Sequence, residues 1–169
     1  MPENDSSKSK TTGQEIDLEL SELNHLFEYA PVIMVVADQD IVIRKVNRAA
    51  AIFAERPAAE LIGLRPGEAF SCLHSHENYN GCGYGAFCQR CHLRHNLVET
   101  FAKGVRFQEE VQFWVERQGI KKETWLLIST AAPMKTKHGE ELVLACWEDI
   151  TRYKQAQAEL AALKQQKTE

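Results

Sequence analysis

The segment CLHSHENYNGCGYGAFCQRCH, Cys72 to His92, carries four of the chain's five cysteines and three of its six histidines. Cys72, Cys82, Cys88 and Cys91 are spaced C-x9-C-x5-C-x2-C. Four thiolates within one segment can converge on a tetrahedral ion or on an iron–sulfur cluster. The C-x2-C half is the sharper signal, because two intervening residues let both sulfurs face one metal. Zinc would take all four cysteines, or three plus one of His74, His76, His92 or His95. An iron–sulfur cluster would use the same four thiolates and add sensitivity to oxygen or redox state. A disulfide switch joining Cys88 and Cys91 is a third chemistry. The ending CQRCH also matches the attachment pattern of a c-type haem. That reading is disfavoured, since it leaves Cys72 and Cys82 unexplained and attachment normally follows export. Noncovalent haem has no histidine singled out for it. Gly81, Gly83 and Gly85 flank the second cysteine and let backbone N–H groups approach the sulfurs. GCGYG is not a phosphate loop, because no strand leads directly into it and no G-x-x-G follows.

The chain that must position these residues has 169 of them, enough for one domain with extensions and a real core. Its formal charge of -4 offers no clustered basic surface, so nucleic acid is not an expected partner. No stretch approaches the roughly 18 apolar residues of a membrane span. The polar start MPENDSSKSKTT lacks the apolar run of a secretory signal. A cytoplasmic location is expected, where clustered cysteines mean metal or redox chemistry more often than disulfides.

Residues 1–14 read as a disordered tail, and 15–30 as an amphipathic helix with a capping box at Thr12–Glu15. Ile16, Leu20, Leu23, Phe27 and Ala30 form its heptad-like stripe, and Pro31 ends it. Strands are expected at Val32–Asp38 and Ile41–Val46 around a polar turn, then a helix Arg48–Ala54 capped by Asn47. A second short helix is bounded by Pro57 and Gly63. After the cysteine segment, 72–92, come a helix Arg94–Gly104 and strands Val105–Val115, Glu123–Met134 and Glu141–Trp147. Residues 152–169 read as a terminal helix, with Tyr153, Ala156, Leu160 and Leu163 as a second short stripe. This order argues α+β with an antiparallel sheet.

At this point the chain resembles a PAS domain over about Leu26 to Thr151. The likeness is carried by FEYAPVIMVVADQDIVIRKVNRAAAIF, by PAAELIGLRPGEAF, and by LVLACWEDITRYKQAQAEL with its Asp149-Ile150-Thr151. R-P-G-E-A followed by the cysteines is similar to a cysteine-bearing PAS subgroup of bacterial signalling proteins. The resemblance implies a five-stranded antiparallel sheet with helices over one face. It also implies a sensory role without catalysis, and signal output through Asp149, Ile150, Thr151 and the helix they open. The domain proper is then 31–151.

The expected function is a sensory module that reads redox state or oxygen through a four-cysteine iron–sulfur or metal site. The alternative is a zinc-stapled dimerisation module with no sensing of its own. A thiol oxidoreductase using Cys88 and Cys91 is disfavoured, because the C-x-x-C does not open a helix after a strand. A homodimer through the terminal helices is expected, with a histidine kinase or other output protein as a possible signalling partner. Trp114, Trp125 and Trp147 are expected as packing residues on strands, Cys146 as a small buried residue, and His25 and His138 at the surface.

Overall fold

The computed structural model describes residues 19–104 and 108–166. The expected tail and the capping box at Thr12–Glu15 lie outside them. The described part of helix α1 covers residues 19–29. Then follow β1 (Ile33–Asp38), β2 (Ile43–Val46), α2 (Arg48–Ala54), α3 (Ala58–Leu61) and α4 (Pro66–Ala69). The cysteine segment holds two 3₁₀ turns, Leu73–His76 and Phe87–Arg90. After it come α5 (His92–Lys103), β3 (Gln108–Arg117), β4 (Ile120–Thr130), β5 (Met134–Lys135), β6 (Glu141–Asp149) and α6 (Thr151–Gln166).

The strands form one antiparallel sheet in the order β2-β1-β6-β4-β3, with β5 pairing the start of β6. This is the expected α+β architecture. Alternation along β1, β3, β4 and β6 puts Val35, Phe113, Leu126, Ile128, Val143 and Trp147 on one buried face. Phe70, at the end of α4, meets Trp147 edge-on at 4.8 Å between ring centres, and Phe53 stands 5.8 Å from Phe70. Such pairs add about 0.5–1.5 kcal/mol beyond the area they bury. Leu93 and Leu97 of α5 enter the same core.

Several element ends differ from the sequence reading, and three around the turns have a local reason. The strand after the first turn starts at Ile43, not Ile41. Asp38 binds the turn: one carboxylate oxygen accepts from Asp40 and Val42 N–H, at 3.0 and 2.9 Å, and its carbonyl accepts from Ile41 N–H at 2.9 Å. That closure holds buried Ile41 at φ 60, outside strand geometry and strained for a β-branched residue. The expected strand Glu123–Met134 is divided, because Pro133 has no N–H for the ladder. It also begins earlier. Gln118 and Gly119 take positive φ (51 and 76) in a two-residue turn that pairs Arg117 with Ile120. The first part of the expected Val105–Val115 strand, residues 105–107, lies outside the described residues.

Asn47 ties this sheet to its helices and is fully buried. Its side-chain oxygen accepts from Ala50 N–H, capping α2, and from Met34 N–H, both at 3.0 Å. Its amide donates to the carbonyls of Val32 (2.8 Å) and Ala30 (3.3 Å). One side chain thus joins α1's exit, β1 and α2. Asn47→Ala is expected to lose about 2–4 kcal/mol of stability, a lost cap plus buried groups left unpaired. Asn47→Asp keeps the acceptor and should lose less. Urea unfolding of the two variants checks the order.

Candidate metal centre

The cysteine segment hangs between two anchors. Phe70 is fixed in the core just before it, and Leu93 just after. Backbone bonds hold its start to β3: Glu116 N–H donates to Ser71 carbonyl at 2.8 Å, and Cys72 makes a lone antiparallel bridge with Val115. Between Cys72 and Cys91 only Ser75, Gly85 and Cys88 are buried. Apolar burial therefore does not fold this segment, and polar contacts organise it.

Glu68 is the main organiser. Its position three residues after Arg65 lets one carboxylate oxygen accept from Arg65 N–H at 2.9 Å. The other oxygen accepts from Cys82 N–H at 2.7 Å. This draws Cys82 onto α4, so tightly that a Cβ on Gly67 would stand 2.6 Å from the Cys82 sulfur. Only glycine fits there. Gly83 N–H donates to the Cys88 sulfur at 3.2 Å.

All four cysteines, Cys72, Cys82, Cys88 and Cys91, line one cavity of about 710 Å³. Burial pushes Cys72 up to about 11, against the pull of the His74 and Ser75 N–H groups; Cys91 and Cys88 add to the rise. Burial pushes Cys82 up to about 12, with Glu68, Cys88 and Cys91 adding to it and the Gly67 N–H opposing. Burial also raises Cys91, where the N–H groups of Arg94 and Leu93 and the Arg94 charge oppose it and Cys88 adds to it. The sulfurs are thus near enough to repel one another as anions. Cys72 sits at the N-cap of the first 3₁₀ turn and Cys91 at the N-cap of α5, so in each case the N–H groups two and three residues on act on the sulfur. Neither cap bond is fully formed. Among the described residues, no group of three or more His, Cys, Asp or Glu side chains is arranged to hold a single metal ion.

The donor chemistry alone, and not the arrangement, is that of a thiolate site. It comprises four soft ligands on one cavity, each with a backbone N–H acting on its sulfur, the pattern that stabilises thiolates around a cation. Of the expected substitute ligands, His74 and His92 line the cavity. His74 is already engaged by Glu77 at 2.6 Å and stacked on Phe87 at 4.0 Å, and His92 bonds Glu109 at 3.1 Å. His76 and His95 are exposed and do not line it.

The structure corrects several expectations. Helix α5 begins at His92, not Arg94, because buried Leu93 already belongs to its core face with Leu97. Cys146 is only half-buried; it lies on the opposite sheet face, between Met34 and Ser129, and is not a core residue. Trp147 is core, whereas Trp114 is exposed and Trp125 half-buried. Glu68, Gly67 and Arg94 were missed as site residues. The first two stand in R-P-G-E, where proline followed two residues later by glutamate is a helix-start signal that could have marked them. Asp149-Ile150-Thr151 opens α6 as expected. Asp149 accepts from Thr151 N–H at 2.9 Å, and Ile150 and Thr151 both bond the backbone of Trp125 at 2.9 Å.

A thiol raised in the folded state keeps its proton while the unfolded chain releases one. Unfolded thiols titrate near 9.0. The stabilising contribution of Cys72 and Cys82 is therefore complete below pH 9 and is lost as pH rises towards 11–12. Metal-free protein should lose stability over that window. The loss should be smaller in Cys82→Ser, read from urea midpoints at successive pH values.

No protein-family model matches the chain, and no curated protein matches it. Solved structures do match. The PAS domain of an HTR-like protein from Haloarcula marismortui is 20% identical over 83% of this chain and 99% of that one, with a TM-score of 0.57. The PAS domain of nitrogen regulation protein NR(II) from Vibrio parahaemolyticus is 13% identical over 75% and 95%, at 0.53. The PAS domain of Bordetella pertussis BvgS is 19% identical over 88% and 98%, at 0.51. With its antiparallel sheet, its helices and these likenesses, the chain has the PAS fold.

Proposed function

We propose that this chain is a signal-transduction module of the sensory kind, reading redox state or oxygen through an iron–sulfur cluster on Cys72, Cys82, Cys88 and Cys91. The carrying observation is that four cysteines share one cavity, each with a backbone N–H acting on its sulfur, in a segment without an apolar core. Sulfurs around one zinc ion stand about 3.8 Å apart, given Zn–S bonds of about 2.3 Å. The thiols here interact electrostatically but are not gathered for one ion, so the preference for a cluster over zinc rests on the sensory reading of the fold. Such a cluster would supply an electron-accepting, oxygen-sensitive centre.

The chain's own residues provide the route out. The cysteine segment is bonded to edge strand β3 at Ser71 and Cys72, and again through His92 and Glu109. On the same strand Glu110 pairs with Lys154 of α6, which also lies over the Trp125 ring at 5.3 Å. A loosened segment would release β3 and shift a two-state equilibrium in α6. Exposed Leu20, Leu23 and Leu26 on α1, and Leu160 and Leu163 on α6, are the surfaces for a homodimer or an output partner such as a histidine kinase.

The second reading is a zinc staple that gives the coreless segment its folding energy, with no sensing. Anaerobic purification with metal and sulfide analysis separates the two. Iron, sulfide and visible absorbance that bleaches in air support the cluster. One colourless zinc per chain supports the staple, and no metal sinks both. Light scattering is expected to show a dimer; a monomer at high concentration overturns the paired helices.

A further inference from the structure

We propose that the open edge of strand β3 takes up an extended acidic peptide from a partner protein, which adds to the sheet as a further strand. This holds with or without a metal on the cysteines. β3 ends the sheet order β2-β1-β6-β4-β3, so one of its sides has no neighbouring strand. The cavity of about 710 Å³ is lined by Glu110, Val111, Gln112, Phe113 and Trp114 in unbroken succession. Alternate residues of a strand face opposite sides of its sheet, so five consecutive ones share a cavity only along the strand's edge. The direction of the backbone groups follows from the register. Glu116 N–H donates to Ser71 carbonyl, away from β4. The β3–β4 pairing runs from Gln108 with Ser129 to Arg117 with Ile120 without a slip. The direction of an N–H repeats every second residue, so those of Trp114, Gln112 and Glu110 also point away from β4, towards the cavity. Among the described residues, none of these three N–H groups has a partner on that side. The cysteine segment pairs with β3 at Cys72 and Val115, then leaves in its first 3₁₀ turn. The groove continues the track that Ser71 and Cys72 begin.

The charge around the groove selects the strand it takes. Arg65, Arg90, Arg94 and Lys121 line the cavity, and none of them makes an ion pair with a carboxylate among the described residues. Arg65 reaches the Asp40 carbonyl at 3.3 Å and lies over the Tyr84 ring, and Arg90 lies over Phe87. Elsewhere Arg44, Arg56, Lys103, Arg117, Lys135 and Lys154 each hold a carboxylate. The acidic residues beside the groove are already answered: Glu110 by Lys154, Glu109 by His92 and Glu77 by His74. On a chain of net charge -4, four cations without carboxylates make one local excess of positive charge. Val111, Phe113, Leu73 and Phe87 add apolar wall. An extended acidic peptide answers all of this at once. Its main chain meets the N–H and carbonyl groups of Glu110 and Gln112 and the N–H of Trp114, its carboxylates meet the cations, and its apolar side chains meet the wall. A strand rises about 3.4 Å per residue, so Glu110 to Trp114 pairs with about five peptide residues. A small organic anion would satisfy the cations but leave the strand edge unpaired, and an unpaired edge is a template for another chain.

The test uses the full chain and a fluorescein-labelled peptide of about eight alternating glutamate and valine residues. Fluorescence anisotropy is expected to show saturable binding that weakens as salt rises. A peptide of alternating lysine and valine should bind at least about tenfold more weakly. Amide exchange followed by NMR reads the geometry. In the free protein the N–H groups of Glu110, Gln112 and Trp114 should exchange faster than those of Val111 and Phe113, which face β4. Saturating peptide should slow the first three by about tenfold or more. Gln112→Pro removes one edge donor and leaves the ladder to β4 intact, so it should weaken binding about tenfold with little change in the urea midpoint. Arg90→Gln combined with Arg94→Gln should also weaken binding about tenfold, and it decides the matter if the proline variant does not fold. Absence of binding, equal binding of the lysine peptide, or binding that leaves those three amides unprotected overturns the proposal. A dimer that Gln112→Pro dissociates overturns it in favour of a second copy at β3. Displacement of the peptide by benzoate at equal affinity overturns it in favour of a small organic anion. A chain purified without iron or zinc defeats the metal reading and leaves this inference standing.

Discussion

The carboxylate of Glu68 bonds two N–H groups that are far apart in sequence, those of Arg65 and Cys82. Everything distinctive about the site follows from that grip. It stiffens the start of α4, seats Cys82 against Gly67, and turns the middle of a segment with almost no apolar burial back towards the domain. The ends of the segment are held differently, by Phe70 and Leu93 in the core and by backbone bonds to β3. A segment fixed at its ends by burial and at its middle by one carboxylate can change its interior without unfolding the domain.

Charge at the site is arranged in opposition. Burial and mutual repulsion keep Cys72, Cys82 and Cys91 protonated, and Glu68 adds to this at Cys82. Backbone N–H groups and Arg94 work against it. Burial wins while the sulfurs face only one another, and the thiols of Cys72, Cys82 and Cys91 are raised. A cation among them would reverse the repulsive terms, because each thiolate would then gain from its neighbours' counter-ion. Any metal binding there would be coupled to proton release.

The edge strand β3 joins this site to the terminal helix. It takes the cysteine segment at Val115 and Glu116, and returns a carboxylate, Glu110, to Lys154. Strand β4 next to it carries Trp125, whose backbone bonds Ile150 and Thr151. The start of α6 is therefore held by two adjacent strands, one of which is also attached to the cysteines.

Much of the fold was legible in the residues. Asn47 announced the start of α2, because a cap acts over three residues. Apolar, β-branched runs and the turns between them announced β1, β3, β4 and β6, because strand propensity is local, and the order of elements pointed to an antiparallel α+β fold. The four cysteines could be named as a set from spacing alone. Ends set by particular contacts were less legible: Ile41 was lost to β2 through the Asp38 turn, and α5 was extended to His92 by the burial of Leu93. What the sequence alone determined was the donor chemistry and the strand and helix periods, since these depend on residue type and near neighbours. Only the tertiary structure decided that Glu68 would hold Cys82, that Cys146 would face away from the other four, and that Arg94 would lie on Gly83. Each is a meeting of residues distant in the chain, and no local pattern encodes which of many possible partners a folded core brings within reach.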